Sequence, residues 1–200
     1  MLLRIIILIS FFFFTKIHAQ KNLSDSIAYK RNRLNENNML VLASWASSNI
    51  VYGAIAAPTN TGNEKYFHQM NIYWNVVNMG IAGFSYFHTK KQLKKSINLE
   101  QNLKEQRLLE RILLINSGLD IGYIATGMYL MNRSTKQNLT DNQYQMKGFG
   151  QSLVVQGGFL LLFDVYQYLL HRNNGKSLQQ LNTKAIFSIS GDKLSFVYRF

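Results

Sequence analysis

The chain has 200 residues, of which 47% are hydrophobic, 13% aromatic and only 16% charged, with a formal net charge of +12. A disordered polymer would be poorer in aromatics and richer in charge, so this composition belongs to a folded chain of about one domain's length. With no Cys there is no disulfide framework, no thiol chemistry and no Cys-ligated zinc or iron–sulfur site, and the single proline excludes Pro-rich linkers.

Residues 1–19 read as an export signal. Arg4 supplies the positive start, Ile5–Phe14 the apolar stretch, and Ala19 a small residue for cleavage before Gln20. An apolar core this short is typical of a signal peptide and short for a membrane span. The alternative is an anchor that stays attached. A mature chain without cysteine suits an oxidising compartment. Residues 20–38 form a polar N-terminal segment in which Leu23, Ile27 and Leu34 give weak helical spacing.

Four apolar segments follow, about Met39–Ala57, Asn71–Phe87, Ile112–Met131 and Phe149–Leu170. Each has the length that a bilayer-crossing helix needs. Each also carries polar residues, which are costly in lipid unless they face a protein interior. Asn71, Asn75 and Asn78 share one helical face, which His68 extends backward; Asn116 and Asp120 share another. Gly150, Gly157, Asp164 and His171 recur every seven residues along the fourth segment, which also holds Gln156. Gly118 and Gly122 form a G-x-x-x-G pair of the kind that lets helix backbones approach closely. Tyr and Phe cluster near segment ends, as at a membrane interface. The rival reading is a water-soluble helical bundle, but its helices should each show a charged stripe. The first two segments carry no charge, and the third and fourth one Asp each.

Asn49-Ile50-Val51-Tyr52 resembles Asp120-Ile121-Gly122-Tyr123, and Val76–Gly80 resembles Val154–Gly158. A repeat of this kind gives two related helical hairpins in parallel orientation. Topology is contradictory. A cleaved signal places His88–Arg111 outside, yet that stretch holds seven Lys and Arg, and the positive-inside rule places it inside. The same stretch offers a surface to anionic lipid or is simply a solvated connection.

Residues 173–200 form a tail. Period-2 alternation on both sides of Gly191-Asp192 predicts a small β-hairpin, with Leu194, Phe196, Tyr198 and Phe200 on one face. A lone hairpin is marginal in water, so it should dock on the helices or on a partner. The expected fold is thus an all-α, membrane-type four-helix bundle over residues 39–172, with a C-terminal β-hairpin.

Chemical signatures are sparse. The chain has no P-loop, dinucleotide-binding glycine pattern, G-x-S-x-G or H-E-x-x-H. His68, Asp120, Asp164 and His171 are the ionisable residues on interior-facing positions. No pair of them has the spacing of a helix-borne metal site, so neither a metal nor a cofactor is expected. The polar-seam residues singled out are His68, Asn71, Asn75, Asn78, Asn116, Asp120, Gln156 and Asp164.

Tyr66–Asn71 with Trp74-Asn75 and Val77-Asn78, then Gly118–Tyr123, then Gly148–Gly150 with Gln156–Leu160 and Phe163-Asp164, resemble a family of small exported proteins of Gram-negative bacteria catalogued only as a domain of unknown function. The resemblance spans roughly residues 34–171. It implies a helical, membrane-associated protein and brings no activity or catalytic residue. Three functions are weighed. The first is a non-enzymatic structural or partner-binding component of the envelope, in the inner membrane, whose partners are the lipid bilayer and an envelope protein or a second copy. The second is an oligomeric transporter or channel subunit lined by the polar seam. The third is a membrane enzyme using His68 or His171 with Asp120 or Asp164, which requires His68 and an Asp within hydrogen-bond reach. An exported chain would not meet nucleic acid, and no nucleic-acid fold signature is present.

Overall fold

A computed structural model describes the backbone of residues 2–134, 140–184, 186–190 and 193–197, and the side chains of residues 23–134 and 140–180. Four helices carry the fold: α1 Leu2–Ala56, α2 Gly62–Gln92, α3 Leu99–Arg133 and α4 Asp141–Lys184. They are far longer than the apolar segments that nucleate them. The polar N-terminal segment is a continuous part of α1, because its inward face has partners: Ile27 packs with Leu103 and Leu178. Pro58 follows closely on the end of α1. Gly62 opens α2 with φ of 58°, a left-handed conformation that suits glycine at this reversal. Asn98 caps α3 by accepting from the Gln101 N–H at 2.8 Å.

The helices pair as two antiparallel hairpins. In the first, Asn35 of α1 donates to Thr89 of α2 at 2.6 Å, and Gly53 lies against Ile72 and the His68 carbonyl. In the second, Gly127 of α3 meets Gly150 of α4 so closely that a Cβ on either would lie 2.6 Å from the other's carbonyl oxygen. The hairpins join through α2 and α4, which run parallel: Asn63 donates to Gln151 at 3.1 Å, and Ser152 to Asn71 at 2.6 Å. The α1–α2 and α3–α4 connections therefore share one end of the bundle. The α2–α3 connection, residue 23 and the last described turns of α4 share the other.

The expected fold class needs correction at the C-terminus. The fold is all-α, and no strand takes part in it; the hairpin expected to dock on the helices is not one of its elements. Beyond α4 there is a two-stranded antiparallel ladder, β1 Ile186–Ser190 with β2 Lys193–Val197. These strands pair with each other and with no helix to a comparable extent. A pair of five-residue strands is too small to add a core of its own. The Gly191-Asp192 turn and the Tyr198 and Phe200 positions lie outside the described residues.

Two stretches, Leu23–Ala56 and Asp141–Gln180, are long and apolar enough to cross a membrane, against the four spans expected. The α2 and α3 helices are diluted by polar residues that point inward: His68, Asn71, Asn75 and Asn78 in α2, and Asn102, Gln106, Ser117 and Asp120 in α3 are all buried. The small-residue expectation also divides. Gly53, Gly127, Gly150 and Gly157 sit at helix contacts, whereas Gly118 and Gly122 have nothing within 4 Å of an added Cβ. That G-x-x-x-G pair faces outward.

Side chains are distributed inside out. The interior is filled largely by Asn, Gln, Ser, His and Asp, while Phe84 at 77% exposure and Leu162 at 75% stand on the outside with Val77, Ile81, Ile115, Leu119 and Leu169. Charge is segregated along the axis. Residues 37–57, 66–89, 112–132 and 148–170 carry no Lys, Arg or Glu, and only Asp120 and Asp164 as acids. At 1.5 Å rise per residue each stretch is about 30–36 Å long, close to the hydrocarbon thickness of a bilayer. The hydrogen bond between Asn35 and Thr89, together with the contact of Gly175 with Gln106 and Glu110, aligns the lower limits of these stretches.

The close glycine contacts yield a first prediction. Gly127→Val or Gly150→Val should destabilise the detergent-solubilised protein by about 1–3 kcal/mol through overpacking, whereas Gly118→Ala should leave it as stable or stabilise it by up to about 1 kcal/mol. Thermal unfolding in micelles measures both; equal losses would contradict the assignment of faces.

Candidate functional site

The polar seam is built in three tiers. The middle tier joins α1, α2 and α4 around Gln156, which is fully buried. Its Nε2 donates to Asn71 Oδ1 at 3.0 Å and to Asn49 Oδ1 at 3.2 Å, and its Oε1 accepts from Trp45 Nε1 at 2.9 Å. Ser152 also donates to Asn71 Oδ1. Asn75 donates to the Asn71 carbonyl at 2.8 Å and accepts from Asn78 at 3.4 Å. Trp45 stacks on Phe159 with ring centroids 3.9 Å apart and planes 5° from parallel. Four of the expected seam residues thus meet in one network, with Trp45, Asn49 and Ser152 as members that spacing within single segments could not show.

The second tier lies between α3 and α4. Asn116 hydrogen-bonds to Asp164, and Asp120 is close enough to Asp164 for their charges to interact. Asp120 is buried, and its Oδ2 has no hydrogen-bond partner among the described residues. The Asp120 carbonyl lies over Gly157, whose missing side chain lets the two helices close together.

The third tier, at the end shared by residue 23 and the α2–α3 connection, is the one of which sequence reading named only His171. Arg31 is buried and forks to Asn102 Oδ1, the Asn102 carbonyl (3.1 Å) and Glu105. Asn102 in turn donates to the Ser24 carbonyl at 2.8 Å. Gln106 donates to the His171 carbonyl at 2.6 Å and to Glu110 at 2.8 Å, and Asn174 donates to the Ile27 carbonyl at 3.2 Å. Burial lowers the Arg31 pKa from its usual value, and Glu105 opposes that shift. Burial, and second the Arg31 guanidinium, push the His171 imidazole down to about 4. The signal that could have revealed this tier was the pair Asn102 and Gln106, four residues apart, in phase with Leu99 and Leu103 on an otherwise charged helix.

His68 stands apart from both aspartates. Its ring makes edge contacts with Tyr52 and Phe67, and Nδ1 has no partner among the described residues. Among the described residues no hydrogen bond joins His68 to Asp120 or Asp164, and His68 Nδ1 and Asp120 Oδ2 both lack partners. The His68–carboxylate contact that the enzyme reading requires is not formed. Among the described residues no group of three or more His, Asp or Glu could hold a metal ion.

Long helices with a polar interior and an apolar exterior define the class: an all-α four-helix protein. The chain belongs to a family of unknown function (DUF6992), matched over residues 41–165. No curated protein and no solved structure matches it. The family match takes in the first two tiers and stops short of Arg31 and His171.

Two substitutions probe the tiers. Gln156→Leu strips partners from Asn49, Asn71 and Trp45 at once and should cost about 1–3 kcal/mol in chemical unfolding in micelles, as expected for buried groups left unpaired. His171 tests pH. Its folded value lies below its ordinary 6.5, so the unfolded chain takes up a proton first. The stability is full above about pH 6.5 and is lost as pH falls toward about 4. The wild-type Tm should drop over that window and that of His171→Gln should drop less; parallel decline would contradict the burial of a neutral imidazole.

Proposed function

We propose that the chain is an integral membrane protein of the cell envelope, a non-enzymatic helical bundle serving as a structural or partner-binding component, with the lipid bilayer as its first partner. One observation carries this reading: polar side chains fill the interior while large apolar ones cover the outside, over a belt of bilayer thickness that holds no Lys, Arg or Glu on any of the four helices. In water this arrangement would waste the hydrophobic effect, since apolar burial is what drives soluble folding. In lipid it is the favourable one, because polar groups there must find protein partners. The satisfied Gln156 network supports a packed, register-setting interior. The separation of His68 from the aspartates argues against the enzyme reading.

The inner membrane is the proposed location. Lys90, Lys91, Lys94, Lys95 and Lys104, Arg107 and Arg111 of α3 gather at the same end of the bundle as Arg31, Arg33 and Arg172. The opposite end has Lys65, Arg133 and Lys147 among its described residues. Placing the basic end on the cytoplasmic side follows the positive-inside rule. A cleaved signal would reverse it.

Two measurements test this. A lipid-phase photolabel should mark peptides carrying Phe84 and Leu162 and spare Asn75 and Gln156; labels missing from Phe84 and Leu162 would sink the membrane reading. A protease site inserted after Lys95 should resist protease added to intact spheroplasts; cleavage there would reverse the orientation.

A further inference from the structure

At the basic end of the bundle several buried polar atoms lack partners. His171 is wholly buried, yet neither ring nitrogen is hydrogen-bonded among the described residues. The same holds for Gln106 Oε1 and Gln167 Nε2. These atoms are neighbours: Gln106 donates to the His171 carbonyl, and Gln167 precedes His171 by one helical turn. Their chemistry is balanced. Gln106 Oε1 accepts, Gln167 Nε2 donates, and a neutral imidazole offers one of each. Buried donors and acceptors left over in equal number are what internal water satisfies. A bound anion would need donors alone and a cation acceptors alone.

The row continues inward. Asp164 lies one turn beyond Gln167 on α4, and Asp120, with its orphaned Oδ2, interacts with Asp164 across the α3–α4 contact. Past Asp120, Gln156, Asn71, Asn49 and Ser152 satisfy one another, while His68 Nδ1 and Trp74 Nε1 on α2 are separate atoms without a partner among the described residues. The row of unpaired atoms on α3 and α4 therefore runs from the Asp120–Asp164 pair toward the basic end, and the Gln156 network interrupts it in the other direction. Arg31, from α1, stands at its outer limit.

We propose that Gln106, Gln167 and His171 line a hydrated path that gives protons access from the basic end of the bundle to the Asp120–Asp164 pair in the middle of the membrane. Water carries the proton to a carboxylate and removes it again, so no other reactant is needed. The pair becomes a proton-binding site served from one side. This rests on the membrane reading, which the photolabelling above tests separately.

The experiment is infrared spectroscopy of the full chain in phosphatidylcholine vesicles, on transfer from H2O to D2O at a pD low enough to protonate both carboxyls. Their C=O bands are assigned by loss in Asp120→Asn and Asp164→Asn. In the wild type these bands should shift within the mixing time. Gln167→Leu and His171→Phe, each checked for native helix content, should slow the shift at least tenfold, and His171→Gln should keep it fast. Slow exchange in the wild type, or equally fast exchange in Gln167→Leu and His171→Phe, would overturn the proposal. Vesicle-bound protein with fast exchange in every variant would reject the path alone and leave the membrane reading standing.

Discussion

Everything in this structure depends on the mutual satisfaction of buried polar side chains. The interior of the bundle is a stack of amides, carboxyls and imidazoles, and each must find a partner on a neighbouring helix or remain costly. Gln156 shows how the constraint sets register. One side chain ties α1 through Trp45 and Asn49 and α2 through Asn71, while its own helix is held one turn earlier by Ser152. Sliding any of these helices by one turn would break several bonds together. Apolar packing between helices could not specify register so tightly, because one aliphatic neighbour is much like another.

The same constraint explains why the helices outrun their apolar segments. The α1 helix continues through its polar stretch because Ser24, Ile27 and Arg31 all find partners on α3 or α4. A buried Arg–Glu pair adds less than its Coulomb attraction suggests, since both charges lose water. Its value here lies in position. Arg31 with Asn102 and Glu105 joins the first helix to the third, a pair otherwise in little contact, and so closes the basic end of the bundle. Small residues close the other end, where Gly127 meets Gly150 and Gly148 meets the backbone of α2.

How much of this was legible in the sequence depended on whether a signal was local to one helix. The face made by Asn71, Asn75 and Asn78 was readable because the three lie on one helical period, and all three are buried. The four-helix build was readable from segment lengths. The Gln156–Trp45–Asn49 network was not, because it joins residues more than a hundred positions apart. The polar segment before the first apolar run looked like a flank, since its partners lie on α3 and α4. Gly118 and Gly122 misled in the opposite sense: the local pattern fits helix packing, but the face they form turns away from the other helices. The C-terminal alternation predicted a docked element, whereas the ladder it forms stays outside the helical fold. Pairing within a segment is a property of sequence; docking depends on what the rest of the fold leaves uncovered.

The central claim is that lipid surrounds the outward face of these helices. Alkaline carbonate extraction of cells expressing the full chain, followed by ultracentrifugation, tests it most directly. The chain should stay in the membrane pellet and enter solution only with detergent. A folded chain in the detergent-free supernatant, with its helix content intact, would contradict the claim.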